Sequence, residues 1–146
     1  MTDPSIEISE ATTEAQRAAC LALRADVFIA EQGVSEADER DGRDGEARHL
    51  LALVDGAPLG TLRLRVVGDA AKLERVCVAE AARGTGLGVA LTKAALDLAR
   101  TLPGLSRAKL SAQASVVDFY TRLGFVAYGE EYMDAGILHR DMMRDL

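Results

Sequence analysis

A glycine-rich turn, Arg83-Gly84-Thr85-Gly86-Leu87-Gly88, carries the clearest chemical signal in this chain. It follows a strand-like run (72–78) and opens a helix-like run (87–101). A helix start leaves about four backbone N–H groups without internal partners, and the helix dipole adds partial positive charge there. Glycines let the backbone wrap closely around an anion, and Arg83 adds a charge at the rim. The turn is therefore predicted to bind phosphate; the alternative is a surface turn that caps the helix and binds nothing.

Spacing excludes two common phosphate-binding loops. The mononucleotide loop requires Gly-x-x-x-x-Gly-Lys-Ser/Thr, whereas the nearest pair, Thr92-Lys93, has the reverse order and lies inside the helix. The dinucleotide fingerprint requires a third glycine where Val89 stands. What remains is Arg-x-x-Gly-x-Gly between a strand and a helix.

Length and composition favour a single cytoplasmic domain over residues 1–146. The chain is 49% apolar, and its net charge of −6 disfavours nucleic acid, which is bound mainly by basic faces. No apolar run is long enough to span a bilayer, and the Met1-Thr2-Asp3-Pro4 start does not resemble a signal peptide. Cys20 and Cys77 lack metal-binding spacing, so both are predicted to be reduced, with no metal site.

Hydrophobic periodicity predicts an α/β order of elements. In the run 60–67, apolar and polar residues alternate, which indicates one buried and one solvent-facing side. The acidic segment 32–46 is predicted to be a loop, either simply solvated or forming a lid or wall beside a substrate. The predicted strands are 6–8, 49–54, 60–67, 72–78, 108–113, 125–128 and 138–144, and the predicted helices are 13–31, 87–101 and 116–123.

A second motif, Asp118-Phe119-Tyr120-Thr121-Arg122-Leu123-Gly124-Phe125, follows a predicted strand. Together with the glycine-rich turn and the order of elements, it resembles the GNAT acyl-coenzyme A N-acyltransferases over essentially the whole chain. The runs 23–28, Glu31-Gln32 and 136–139 resemble the ElaA/YjcF-type subfamily, and the last run and Arg75 also resemble glyphosate N-acetyltransferases. The resemblance implies an α/β fold with a mixed, mostly antiparallel sheet of six or seven strands and about four helices.

The same resemblance implies acetyl-CoA as cosubstrate. The pantetheine arm would lie along a splayed strand edge, hydrogen-bonded to the backbone of Val76 and Val78, and the pyrophosphate would lie in the glycine-rich turn. The implied coenzyme-binding residues are Val76, Cys77, Val78, Arg83, Gly84, Thr85, Gly86, Leu87, Gly88, Val89 and Tyr120.

Amide formation from a thioester needs a neutral amine, a stabilised oxyanion and a proton for the departing thiolate. Histidine suits a general base near neutral pH, and the chain has two histidines. The resemblance implies His139 as base, with Glu74 or a water molecule as the alternative, and Tyr120 as general acid. The Val76 N–H is the implied oxyanion donor. Simple packing is the other interpretation of His139 and Tyr120, and His49 has no defined role.

The acceptor is predicted to be a small amine that also bears an anion. Arg24 and Arg75 match arginines that grip the acidic groups of glyphosate, and guanidinium groups suit carboxylate or phosphate. A third arginine of that pattern is Gln113 here, so these three residues and His139 form the predicted acceptor site. Surface salt bridges are the alternative for the arginines. Because strand residues alternate, Glu74 is expected to face away from Arg75.

Three activities remain open at this stage. The leading one is direct acetyl transfer in a ternary complex, without an acyl intermediate on Cys77. A non-catalytic CoA sensor would keep the phosphate-binding turn alone. An acyl-homoserine-lactone synthase-like enzyme is suggested by Val27-Phe28 and Glu31-Gln32. A homodimer is left open, with no nucleic-acid or membrane partner expected.

Overall fold

The computed structural model describes residues 4–146. The prediction that the chain does not begin with a signal peptide rests on residues 1–4, and the first three of these lie outside the described residues. In the described residues, seven strands form one sheet in the order β1-β2-β3-β4-β5-β7-β6. Every neighbouring pair is antiparallel except β4 and β5, which are parallel. The strands are β1 (Ile6–Glu10), β2 (Arg48–Val54), β3 (Ala57–Val67), β4 (Ala70–Val78), β5 (Arg107–Gln113), β6 (Val126–Asp134) and β7 (Ile137–Asp145); the α-helices are α1 (Glu14–Arg24), α2 (Glu36–Glu39), α3 (Leu87–Thr101) and α4 (Val117–Thr121).

Two helices cover opposite faces of the sheet. Leu50 and Leu51 are consecutive in β2, and a strand sends consecutive side chains to opposite faces. Leu50 packs in the core beneath α3, and Leu51 packs in a smaller core with Cys20 and Leu23 of α1. The predicted mixed, mostly antiparallel α/β fold is confirmed. No helix in residues 4–146 is long and apolar enough to cross a membrane.

The predicted solvent-facing side of β3 is wrong. Thr61 and Arg63 are both 1% exposed, because α1 and the segment after it lie over that face. The alternation itself was correct, but alternation reports only that two faces differ in polarity. Here the polar face is buried, and its polar groups are paired.

The predicted helix 13–31 has two parts. Thr13 caps α1 with a capping box to Gln16, as its spacing indicates. From Ala25–Glu31 the backbone winds as a π-helix, with the Gln32 N–H bonded to the Val27 carbonyl. π-helical turns are frequent at functional sites, and this one borders the cleft described below.

The predicted loop 32–46 contains α2 and a 3₁₀ turn, Asp44–Glu46. The Ser35 hydroxyl accepts a hydrogen bond from the Asp38 N–H and so caps α2. Helix α3 has the predicted bounds, whereas β6 extends well beyond the predicted strand 125–128 and α4 is shorter than predicted. Asp38 and Glu39 of this acidic segment line the cleft described below, and its role beside a substrate stays a prediction.

Candidate active site

The cleft exists because β4 and β5 separate. They pair only from Ala70 to Leu73 and from Arg107 to Leu110. Beyond those residues the two strands diverge around a cleft of about 590 Å³. Its walls include β4, β5, the π-helical segment, the start of α3, α4 and the turn between β6 and β7.

The open edge of β4 faces this cleft. Ala79 donates its N–H to Leu59 across the β3–β4 ladder, so the polar backbone groups of Val78 point the other way. Val76 has no partner in the register of either neighbouring strand. The register shifts beside it at Arg75, which has a φ of 53°. This bulge leaves the backbone groups of Val76 without a strand partner.

The glycine-rich turn has the geometry of an anion-binding cradle. Gly84 and Gly86 have φ of 79° and 86°, which side chains rarely tolerate. Gly86 precedes α3 without a side-chain cap, and the first turn carries no acidic residue. The Ala90 N–H bonds the Gly86 carbonyl, so the three amides before it lie ahead of the first helical hydrogen bond. A Cβ on Gly88 would stand 3.2 Å from the Phe119 ring, so this glycine permits close packing.

Arg83 does not simply point into solvent. Its Nε donates to the Val78 carbonyl at 3.1 Å, and its Nη2 lies 2.8 Å from a Glu31 carboxylate oxygen. The side chain therefore joins the cradle to the π-helical segment across the cleft. Thr85, by contrast, is absent from the cleft lining, and its hydroxyl donates to the Ala82 carbonyl.

The three candidate proton-transfer groups, His139, Tyr120 and Glu74, all line the cleft. His139 Nδ1 lies 2.7 Å from the Ile137 carbonyl, which can only accept, so Nδ1 carries a proton and the neutral ring has its lone pair on Nε2. Burial raises the pKa of Tyr120 to about 12. The Tyr120 phenol is therefore neutral at physiological pH and able to donate a proton or hydrogen bond.

Glu74 sits in a different environment. Its carboxylate is 3.1 Å from Arg63 and 3.0 Å from Arg65. Burial disfavours the charged form, but the hydrogen bonds and charges of Arg65 and Arg63 outweigh it and hold the pKa of Glu74 below its ordinary value. A carboxylate held in this way is a weaker base than an unpaired one.

The expectation that Glu74 and Arg75 face opposite ways is wrong. The bulge at Arg75 interrupts the alternation of β4. Both side chains reach the same group of paired charges on the α1 side of the sheet, Glu74 through Arg63 and Arg75 through Asp41.

Arg24 does not reach the cleft, which corrects its predicted role in binding the acceptor. It is 1% exposed, and all three guanidinium nitrogens are paired. Nε and Nη2 bind the Glu39 carboxylate, and Nη1 binds Asp44 at 2.7 Å. Its physical role is to hold a buried charge network together.

Arg75 and Gln113 do line the cleft, and both already have partners. Arg75 Nε donates to Glu39 at 2.8 Å, and Nη2 contacts the Asp38 and Glu39 carbonyls. Gln113 donates to Gln32 at 2.9 Å, across the mouth of the cleft. Within residues 4–146, the Arg75 guanidinium keeps only Nη1 without a hydrogen bond.

Cys77 borders the cleft but is buried, and it packs among apolar residues of the α1 side. Burial raises the pKa of the Cys77 thiol to about 12, so it is protonated at neutral pH and a poor nucleophile. Cys77→Ala is therefore expected to leave steady-state thiol release within about twofold of the unsubstituted protein. Abolished turnover with intact CoA binding would instead support an acyl-cysteine intermediate.

Sequence reasoning missed three groups that shape this site: Glu39, the Glu31–Arg83 pair and Tyr132. The helix that carries Glu39 could have been found from the sequence, because Ser35 and Asp38 have the spacing of a helix N-cap and so predict α2. The Glu31–Arg83 pair joins residues far apart in sequence and has no local signal. Tyr132 stacks on His139 with ring centroids 6.2 Å apart, on a part of β6 that was not predicted.

The fold and the cleft together define an acetyltransferase of the GNAT class, and residues 10–146 match the Acetyltransferase (GNAT) domain family. The chain belongs to this family. It is 37% identical over 124 residues to the uncharacterized N-acetyltransferase YjcF of Bacillus subtilis (strain 168), covering 84% of this chain and 88% of that protein.

Two solved structures extend the comparison. An acyl-CoA N-acyltransferase from Pseudomonas aeruginosa has a TM-score of 0.83 and 36% identity, covering 97% of this chain and 99% of that one. Escherichia coli ElaA has a TM-score of 0.86 and 30% identity, covering 96% and 99%. The predicted family and the ElaA/YjcF-type resemblance are confirmed, and the chain is a GNAT N-acetyltransferase. The resemblance to glyphosate N-acetyltransferases stays a prediction.

Proposed function

We propose that this protein transfers an acetyl group from acetyl-CoA to the amine of a small molecule, by direct attack in a ternary complex within one cytoplasmic catalytic domain. The observation that carries the proposal is that one cleft contains the open edge of β4, the start of α3 and the side chains of His139 and Tyr120. No other cleft of the described residues combines these features.

The chain's residues fit the coenzyme. The uncapped amides at Leu87, Gly88 and Val89 suit a diphosphate, which the dipole of a fifteen-residue helix would further stabilise. The backbone of Val76 and Val78 suits the amide groups of a pantetheine arm. The Val78 carbonyl already accepts from Arg83, but its second lone pair leaves room for a further donor. Acetyl-CoA supplies an activated acyl carbon and a thiolate leaving group.

Each proton in the proposed transfer has a place to go. His139 Nε2 takes a proton from the attacking amine as the new C–N bond forms. The Val76 N–H donates to the carbonyl oxygen as that oxygen gains charge. Tyr120 donates to the sulfur as the C–S bond breaks, and solvent then restores both side chains. Glu74, acting through water, is the second candidate base, and its paired carboxylate supports it less well than the free Nε2 supports His139.

The sequence-based prediction of an anion-bearing acceptor now depends on Arg75. Arg24 is buried, Gln113 is neutral, and Arg75 is largely neutralised by Glu39 and Asp41. We therefore propose a small amine as the acceptor class and keep the anion as a property to be tested. Matched acceptors, such as an amino acid and the amine obtained by its decarboxylation, show whether the site requires an anion on the acceptor.

The experiment is thiol release from acetyl-CoA over a panel of small amines with and without a carboxylate or phosphate. Release that requires both acetyl-CoA and an amine is expected. CoA binding without release on every amine would indicate a sensor, and a preference for long-chain acyl donors would indicate a lactone-synthase-like enzyme. The oligomeric state in solution, monomer or homodimer, is read from the same preparation by light scattering.

Arg83→Gln is expected to weaken CoA binding about tenfold, because a charge-assisted contact to the pyrophosphate is lost. The side chain is 43% exposed, so the unfolding temperature should change little. Glu31→Gln is the matched control, since it removes the other half of the same ion pair. That variant should bind CoA at least as tightly, because a negative charge near the phosphates is removed. Equal weakening by both variants would mean that the ion pair, rather than the Arg83 charge, supports binding.

A further inference from the structure

An aromatic ring lies beside the His139 imidazole and nearly parallel to it. Tyr132 of β6 lies directly opposite His139 of β7 in the strand register. The two ring centroids are 6.2 Å apart and the ring planes differ by 22°. One edge of the imidazole is also bound, through Nδ1, to the Ile137 carbonyl. The ring is thus held on one face by stacking and at one edge by a hydrogen bond.

The Tyr132 ring is itself fixed by two other strands. Its hydroxyl donates to Asp141 Oδ1 of β7 at 2.6 Å. With that proton committed, the Ser111 hydroxyl of β5 donates to the Tyr132 oxygen. The phenol therefore connects β5, β6 and β7, and its two hydrogen bonds restrict both the side-chain torsion angles and the position of the ring.

An irregularity in β6 brings these groups together. Tyr128 is opposite Asp141 and Tyr132 is opposite His139, so a step of four residues on β6 matches a step of two on β7. Gly129, with a φ of 72°, lies within the irregular part. The two extra residues form a bulge in β6, and beyond it the Tyr132 ring stacks on His139 with an offset while its hydroxyl reaches back to Asp141.

We propose that Tyr132 is a positioning residue for the His139 base: it holds the ring so that the neutral imidazole keeps its proton on Nδ1 and presents Nε2 to the acceptor amine. His139 lines the cleft, whereas Tyr132 is not part of the lining formed by residues 4–146. Tyr132 therefore acts through His139 and not on the substrate. The catalytic part of this inference rests on the proposed function; the part about ring orientation does not.

The orientation is tested by ¹⁵N NMR of histidine-labelled protein at a pH where both imidazoles are neutral. The chain has two histidines, and the structure gives them opposite tautomers. His49 Nε2 lies 3.0 Å from the Asp44 carbonyl, so His49 is protonated on Nε2, whereas His139 is protonated on Nδ1. Tyr132→Leu is expected to shift His139 toward the Nε2–H form that a free imidazole favours in water, with His49 unchanged. His139→Gln assigns the signals.

The catalytic consequence is tested by steady-state kinetics on the same variants. Tyr132→Leu is expected to lower kcat about tenfold with KM for acetyl-CoA within about twofold, because a misplaced base slows only the chemical step. Tyr132→Phe keeps the stacked ring and should stay within about threefold of the original kcat. Tyr128→Leu, on the same strand and also opposite β7, is the matched control and should not change kcat.

Each of these measurements can overturn the inference. An unchanged His139 tautomer in Tyr132→Leu, or equal kcat losses in the Phe and Leu variants, would overturn the inference. If Tyr132→Leu does not fold, Asp141→Ala replaces it, because it removes the acceptor of the Tyr132 hydroxyl: a partial shift of the His139 tautomer supports the inference, and unchanged signals contradict it. Absence of thiol release with every amine would refute the proposed function alone, because the NMR measurement on the folded protein would still stand.

Discussion

His139→Gln is expected to lower kcat by about 10²-fold or more at neutral pH while leaving the Kd for CoA unchanged within about twofold. Glutamine fills similar space but cannot accept a proton from an ammonium group. His139 lies on β7 opposite Gln113 of β5 and is not part of the glycine-rich turn, so coenzyme binding should not depend on it. The measurement is thiol release at saturating acetyl-CoA, paired with calorimetric titration of CoA.

The pH dependence sharpens this test. A general base is needed because most free amines are protonated at neutral pH. As pH rises, the acceptor loses its proton to solvent, so the deficit of His139→Gln should shrink. His49→Gln is the control, because His49 is buried away from the cleft and bonded to the Asp44 carbonyl. Full activity in His139→Gln together with loss of activity in Glu74→Gln would move the base to Glu74.

Glu39→Gln is expected to destabilise the fold by about 3–5 kcal/mol, measured as the free energy of unfolding in urea. The Glu39 side chain is 1% exposed and lies between Arg24 and Arg75, and its Oε2 is 2.9 Å from Arg24 Nη2 and 2.8 Å from Arg75 Nε. Removing this charge leaves the buried Arg24 guanidinium with Asp44 as its remaining carboxylate partner. Breaking one partner of a buried pair is costly because the other charge stays desolvated.

Glu36→Gln is the matched control for this prediction. It lies on the same short helix, is exposed, and should change the unfolding free energy by less than about 0.5 kcal/mol. A change below about 1 kcal/mol in Glu39→Gln would contradict the account of the network. Glu39→Gln should also disturb the cleft, because Glu39 holds the side chain of Arg75. Arg75 lies at the β4 bulge with a φ of 53°.

The order of elements could be predicted because each carries a local signal. Helix α3 shows apolar residues at helical spacing, and the Asp55-Gly56 turn joins β2 to β3 where predicted. The glycine-rich turn could also be predicted from the sequence, because Gly84 and Gly86 adopt φ values that favour glycine. Periodicity and turn chemistry act over a few residues, which is the range that a single sequence reveals.

The errors in the site have a common physical cause. The predicted acceptor role of Arg24 and the predicted opposite faces of Glu74 and Arg75 both assumed regular, independent elements. A bulge in β4 and the buried carboxylate of Glu39 couple segments distant in sequence. Hydrogen bonds from Arg63 hold the pKa of Asp41 well below its ordinary value, which marks Asp41 as part of the same network. Pairings of this kind depend on tertiary contacts and leave no periodic trace.

The most direct test of the central claim is isothermal titration calorimetry of CoA into the folded protein, compared with Arg83→Gln. The account predicts saturable binding of one CoA per chain, weakened in Arg83→Gln and unchanged within about twofold in His139→Gln. Absence of any heat of binding at millimolar CoA, with a folded protein verified by circular dichroism, would contradict it.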